Sequence, residues 1–200
     1  ELLEGGSADT TVIDNAPAYI AQLLYFPYEQ GAEFVSQIYL SGGFEAVDTA
    51  LEAPPSSTEQ ILHPEKYLGE RDEPTAVTLP DLAPALGEGW ALVDEDTLGE
   101  LTVAIMLANL EPGEGIDAFS GALALPEAAR NAAAASDGDR YAHWADGDDE
   151  ALVWRTTWDT EDDARAFARA LALYAQGRFG GELAAANTDE VSLDTDGVAA

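Results

Sequence analysis

Apolar residues over roughly the first third of the chain recur at helical spacing, and beyond Gly69 they gather into short runs between turn residues. Leu2, Leu3, Val12 and Ile13 suit a helix interrupted at Gly5-Gly6, and Asn15-Ala16-Pro17 marks a break before the next one. Residues 18–26 are apolar on several sides and predict a buried helix. Pro27 is expected to restart the chain into a helix over 28–40, where Ala32, Val35 and Tyr39, and Phe34 and Ile38, lie three or four apart. Gly42-Gly43 is a stop signal, and 44–51 reads as a further short helix. Pro54-Pro55 then leads into Ser56-x-x-Glu59, a capping box that opens a helix over 57–62. Pro64 disfavours the α conformation at His63, so that helix is expected to end or kink there.

The second half mixes strands with helices. Residues 76–79 and 90–93 are strand candidates between proline- and glycine-bearing turns. Asp96-Thr97 can cap a nearly continuous apolar helix over 98–110, expected to be central and buried, with Glu111-Pro112-Gly113 ending it. A helix over 126–135 carries proline in its first turn. Strands over 140–145 and 151–158 flank Asp146-Gly147-Asp148-Asp149, which contains the Asp-Gly hairpin signal. Thr160-x-x-Asp163 opens a helix over 161–176 that Gly177 is expected to close. Its stripe of Ala164, Phe167, Ala168, Leu171 and Tyr174 should cover the hairpin, and residues 191–193 suggest a last strand. The fold class is therefore α+β, with a helix-rich part over 1–112 and a small hairpin-helix subdomain over 113–200.

Composition changes the picture through charge. Against 39 acidic residues stand 8 basic ones, a formal net charge of −31, while 46% of residues are hydrophobic. Four Trp, seven Tyr and six Phe with periodic segments argue against an acidic disordered tail. The charge instead fits the surface of a halophilic protein, which stays hydrated where molar salt shrinks the Debye length to about 3 Å. The fold is accordingly expected to loosen when salt is removed. No basic stripe exists to neutralise phosphates, so nucleic acid is not an expected partner, nor is an anionic membrane surface. Without a run of about eighteen apolar residues, neither a membrane span nor a signal peptide is expected. The opening Glu1-Leu2-Leu3-Glu4, lacking Met, reads as the start of a piece of a longer protein.

Candidate chemistry gathers at His63-Pro64-Glu65-Lys66-Tyr67. Lys66 is the sole lysine and His63 one of two histidines, so the bend is either a structural turn or part of a functional cleft. His63-x-Glu65 matches half of a zinc deaminase signature, but a chain without cysteine cannot supply the other half. No His-Glu-x-x-His and no Gly-x-Ser-x-Gly is present. The segments at Asp137–Asp139, Asp146–Asp148 and Asp194–Asp196 invite a calcium reading, yet none completes an EF-hand loop, and turn chemistry with halophilic acidity accounts for them. Trp144, Trp154 and Trp158 invite a carbohydrate platform, although Trp154 and Trp158 share a strand face and suit a core better.

Three blocks resemble a known family. Phe26-Pro27-Tyr28-Glu29-Gln30-Gly31 with Phe34-Val35, then Gly42-Gly43-Phe44-x-Ala46-Val47-Asp48, then residues 54–67, look like the C-terminal part of largely uncharacterised, zincin-like metalloproteases of bacteria and haloarchaea. Asp139-Arg140-Tyr141 and the run from Val153 to Thr160 continue the likeness, which spans about residues 1–175. The resemblance implies that Glu4, followed by Gly5, stands where the third zinc ligand of a gluzincin stands, and that His63 and Tyr67 contribute to the catalytic cleft. It also implies an upstream segment of the parent protein bearing His-Glu-x-x-His as a partner, and peptides as substrate. A catalytic zinc needs about three protein ligands, so this chain alone is expected to bind zinc weakly and to be inert. The other expectation is a non-catalytic surface or protein-binding module on the same scaffold. Either belongs to an extracellular or cell-surface protein of a halophile.

Overall fold

The computed structural model of the protein describes residues 11–109, 125–180, 182–183 and 193–194. Helices occupy the first part: α1 (Thr11–Asp14), α2 (Ala18–Glu52), α3 (Thr58–Leu62), α4 (Glu65–Leu68) and the one-turn α5 (Ala83–Leu86). There follow β1 (Ala91–Asp96), α6 (Gly99–Ala108), α7 (Glu127–Ala133), β2 (Ser136–Asp146), β3 (Asp149–Trp158) and α8 (Glu161–Phe179). The short strands β4 (Glu182–Leu183) and β5 (Leu193–Asp194) pair antiparallel with each other. The fold is α+β, as the sequence pattern predicts.

The main sheet is antiparallel in the order β1-β2-β3. Asp146 pairs with Asp149 across the expected two-residue turn, where Gly147 takes a φ of 62°, and Ser136 pairs with Trp158 at the far end. β1 joins the other edge of β2, with Ala91 opposite Ala145 and Asp96 opposite Tyr141. At the centre lies α6, which touches α2, α3, α7, α8 and β2. Its Leu101, Val103, Ala104 and Ile105 form one core cluster with Phe26, Leu125, Ala133 and Phe167. Phe167 of α8 stacks on Trp158 with ring centroids 4.6 Å apart and meets Trp154 edge-on at 5.3 Å, so the α8 stripe covers the hairpin and both tryptophans pack, partly buried, against the core.

Several boundaries differ from the pattern. Pro27 does not restart the chain: it sits inside α2 on an exposed side, where the carbonyl that loses its donor can turn to water. Gly42 and Gly43 do break the helical geometry, with Gly43 at φ 67° and ψ −155°, a conformation that a side chain disfavours. Nor is the 18–26 stretch buried throughout. Ala18, Ala21, Gln22 and Phe26 face the core, while Tyr19, Ile20, Leu23 and Leu24 are exposed.

Residues 76–79 form no strand; backbone pairing there reduces to Thr75 N–H donating to Asp137 O at 2.6 Å. That loop presses on β2 so closely that a Cβ at Gly138 would lie 2.3 Å from the Thr75 carbonyl. α8 runs past Gly177 to Gly180, whose φ of 70° closes it. The expectations for Leu2, Leu3 and residues 111–113 fall outside the described residues. Among the described residues, no helix is long and apolar enough to cross a membrane.

Candidate functional site

The site grows from the α3–α4 bend. Ser57, one residue later than the capping-box reading placed the cap, accepts from Gln60 N–H at 3.2 Å. Gln60 is fully buried; its Oε1 accepts from Ser56 N–H and its Nε2 donates to Asp72 O, so one glutamine staples the helix start to the later loop. Glu59 is thereby released from capping and turns inward, only 3% exposed. Pro64 then ends α3 at His63 as expected and starts α4, which brings Lys66 back over Glu59.

Lys66 is the hub of an ion cluster. Its Nζ lies 2.6 Å from Glu59 Oε1, 2.8 Å from Asp159 Oδ2 and 3.0 Å from Asp72 Oδ2. Asp159 follows β3 directly, so this lysine ties the helical part to the hairpin. Burial alone would lower the Lys66 pKa, but hydrogen bonds to Asp159, Glu59 and Asp72 outweigh it and raise the pKa, so the ammonium stays charged. For Glu59, burial raises the pKa against the pull of Lys66.

Beside this cluster, His63 Nε2 lies 3.0 Å from Glu100 Oε1, a geometry in which the ring N–H donates, and Nδ1 lies 3.8 Å from Glu65. Glu100 is 5% exposed, and its Oε2 has no hydrogen-bond partner among the described residues. The hydrogen bond to Glu100 raises the His63 pKa against burial, with Glu100, Glu65 and Glu59 adding attraction. A histidine whose folded pKa is raised contributes stability that is complete below its unfolded value of 6.5 and is lost as pH rises through the folded value. Melting temperature followed upward from pH 6.5 in molar salt should therefore fall. His63→Gln should flatten that slope, by an amount worth under about 1 kcal/mol because the ring is partly solvated.

Tyr67 does not join this pair. Its hydroxyl donates to Ala53 O at 2.7 Å, its ring meets Phe34 edge-on at 5.1 Å, and the Arg71 guanidinium lies 4.9 Å above it. Glu4 lies outside the described residues.

The N-terminus of α6 completes the site. Among the described residues, Asp96, the expected cap, accepts from Thr97 N–H, and the cap comes instead from β2. Buried Asp139 accepts from Leu98 N–H and Gly99 N–H, both at 2.9 Å, and from Trp154 Nε1–H at 2.9 Å. Thr58 Oγ1 accepts from Leu101 N–H at 3.3 Å. A cavity of about 610 Å³ opens between Ser57, Thr58, Thr75, Gly99 and Asp139.

Zinc does not fit the described side chains. Among the described residues, the one group of three close enough to share an ion is Glu59, Asp72 and Asp159, with ligand atoms within 4.8 Å of one another. It contains no histidine, whereas catalytic zinc sites draw on imidazole nitrogen, and Lys66 already bonds all three carboxylates. Glu100 and Asp139 were missed in the sequence as site residues. A glutamate in the first turn of a helix expected to be buried was the signal for Glu100; Asp139 was absorbed into general acidity.

A family model described as a domain of unknown function, DUF8575, matches residues 89–199, from just before β1 to the end of α8 and beyond. No curated protein and no solved structure matches the chain. Glu100, Asp139 and Asp159 fall inside the matched stretch, while His63, Lys66, Tyr67 and Glu4 precede it. The match covers more than half of the 200 residues, and the chain belongs to the DUF8575 family.

Proposed function

We propose that the chain is a non-catalytic protein-binding module whose long helix α2 docks another polypeptide. One observation carries this reading: an uncharged, uncovered apolar strip in a chain of net charge −31. Residues 15–28 contain no charged side chain, nor do residues 34–44. On these stretches Tyr19, Ile20, Leu23, Leu24, Val35 and Tyr39 are exposed, and Tyr28 is 80% exposed. Ile20, Leu24 and Tyr28 succeed one another at four-residue spacing, as do Val35 and Tyr39, so they form ridges that a second helix can pack against. A contiguous apolar surface in an otherwise acidic protein marks an interaction site. Beside it, an apolar groove of about 410 Å³ runs between Phe34, Ile38, Val47, Leu51 and Pro54.

The occupant we assign is the upstream segment of the parent protein. A neutral strip selects an apolar rather than a basic partner, and a segment joined ahead of α1 would meet α2 intramolecularly, at high effective concentration. Zinc and peptide chemistry, on this reading, would belong to that upstream segment of a zincin-like parent; this part rests on the resemblance alone. A cell-surface or extracellular setting in a halophile is proposed with it, in keeping with the acidic composition.

Leu24→Glu separates docking from self-stability. In this chain alone, where Leu24 is 53% exposed, denaturation at molar salt should shift by no more than about 0.5 kcal/mol. In the parent protein the same substitution should cost about 2 kcal/mol, the value of a leucine buried at a packed surface. Equal effects in the two proteins would remove α2 as the docking surface.

A further inference from the structure

β3 is an edge of the main sheet, and we propose that its free side pairs antiparallel with β3 of a second copy of this chain, joining the two sheets about a two-fold axis at Leu152.

Backbone geometry sets up the pairing. Asp146 and Asp149 close a two-residue turn as a hydrogen-bonded pair, and bonded pairs then alternate along the ladder at 144–151, 142–153 and 140–155. The N–H and C=O groups of Glu150, Leu152 and Trp154 therefore point away from β2, and among the described residues they face no other strand. The register with β2 has no shift over residues 149–155, so this free edge is regular for about 23 Å, and neither proline nor lysine interrupts it. The opposite edge is different. β1 carries a register shift between Leu92 and Asp94 and ends in Asp94-Glu95-Asp96, a bulge and a charge run that both discourage pairing.

Charge fixes the partner and the register. β3 begins with Asp149 and Glu150 and carries Arg155 towards its end, so an antiparallel copy brings opposite charges together, whereas β1 holds three acids and no base. With Leu152 opposite Leu152 of the second copy, Asp149 of each chain lies opposite Arg155 of the other, on one face of the joined sheet. Glu150 then lies opposite Trp154. Asp149, Leu152 and Arg155 are all exposed in the single chain, Leu152 to 65%. Within the chain Arg155 Nη1 donates to Thr78 O at a long 3.4 Å, a contact weaker than one to a carboxylate. Moving the axis to Ala151 or Val153 sets Arg155 opposite Gly147 or Ala151 and loses both ion pairs.

Sedimentation equilibrium of this chain in molar potassium chloride, which screens the repulsion between two copies of net charge −31, tests the proposal. A monomer–dimer equilibrium with a dissociation constant of about 10–100 µM is expected for so small an interface. Leu152→Pro should weaken it at least about tenfold with circular dichroism unchanged, since an edge strand tolerates proline where the N–H faces away from its neighbour. Asp149→Arg and Arg155→Asp each set like charges opposite one another and should weaken it similarly. Mixed in equal amounts, those two variants should form a heterodimer, which two misfolded proteins would not do. Leu24→Glu, on the α2 strip, should leave the equilibrium unchanged. No self-association up to about 500 µM would overturn the proposal. So would a dimer that survives Leu152→Pro, a dimer lost in Leu24→Glu, or a mixture of the two charge variants that stays monomeric. Species larger than a dimer would overturn it too, since head-to-tail pairing of β1 with β3 leaves an edge open at each end.

Discussion

Replacing Lys66 by methionine should destabilise the fold by about 3 kcal/mol, because it removes the one cation from among three carboxylates. Glu59, Asp72 and Asp159 place ligand oxygens within 4.8 Å of one another, and Glu59 is 3% exposed, so it cannot recover its hydration once the ammonium is gone. Breaking a fully buried pair costs about 3–5 kcal/mol; the partly exposed Asp72 and Asp159 place this cluster at the lower end. Lys66→Arg should fall between wild type and Lys66→Met, since a planar fork replaces a compact ammonium that three oxygens surround. Chemical denaturation at molar salt measures the series. A loss below about 1 kcal/mol in Lys66→Met would show that the cluster is a screened surface arrangement rather than the tie between the α3–α4 bend and the hairpin.

Asp139→Ala should cost about 3–4 kcal/mol, from a different cause. The carboxylate serves three donors, Leu98 N–H, Gly99 N–H and Trp154 Nε1–H, and its removal leaves each in a partly buried setting without that acceptor. It also takes a negative charge from the positive end of the central helix α6. Asp139→Asn keeps one acceptor oxygen and should cost about half as much. The same denaturation experiment, with Trp154 fluorescence as a local probe, distinguishes the two variants. Equal losses for alanine and asparagine would mean that charge, not the count of acceptors, holds α6 to the hairpin.

The sequence shows why parts of this fold were legible and others were not. Hairpin and covering helix could be read because their signals are local: Asp-Gly in the turn, Thr160 capping Asp163, and a stripe ending in Leu171 and Tyr174. Centrality of α6 followed from its near-continuous apolar run. Pro27 misled because the cost of proline in a helix depends on whether the freed carbonyl reaches water, a tertiary fact. Residues 76–79 have strand composition, but the backbone bond to β2 is made ahead of them, by Thr75, which packs against Gly138, and no ladder continues from it.

The site was half legible. His63 and Lys66 stood out through rarity and the Pro64 bend, yet their partners Glu100 and Asp159 lie 37 and 93 positions away; among 39 acidic residues nothing local marks Asp159, and Glu100 had only its place in the first turn of an apolar helix. Tyr67 carried the same prominence; the structure gives its hydroxyl to Ala53 and its ring to Phe34. The apolar residues at 18–26 were read as core because apolar periodicity reports a face that needs covering, without saying whether the same chain covers it.

Solvent labelling by hydroxyl radicals at molar salt, compared between this chain and the longer parent protein proposed above, tests the docking claim most directly. Tyr28 and Leu24 are the readout, and Leu152 on β3, 65% exposed and remote in the sequence from α2, is the internal reference. Docking on α2 predicts that Tyr28 and Leu24 react several-fold more slowly in the parent than in the chain, while Leu152 reacts alike in both. Equal rates at Tyr28 and Leu24 in the two proteins would contradict it.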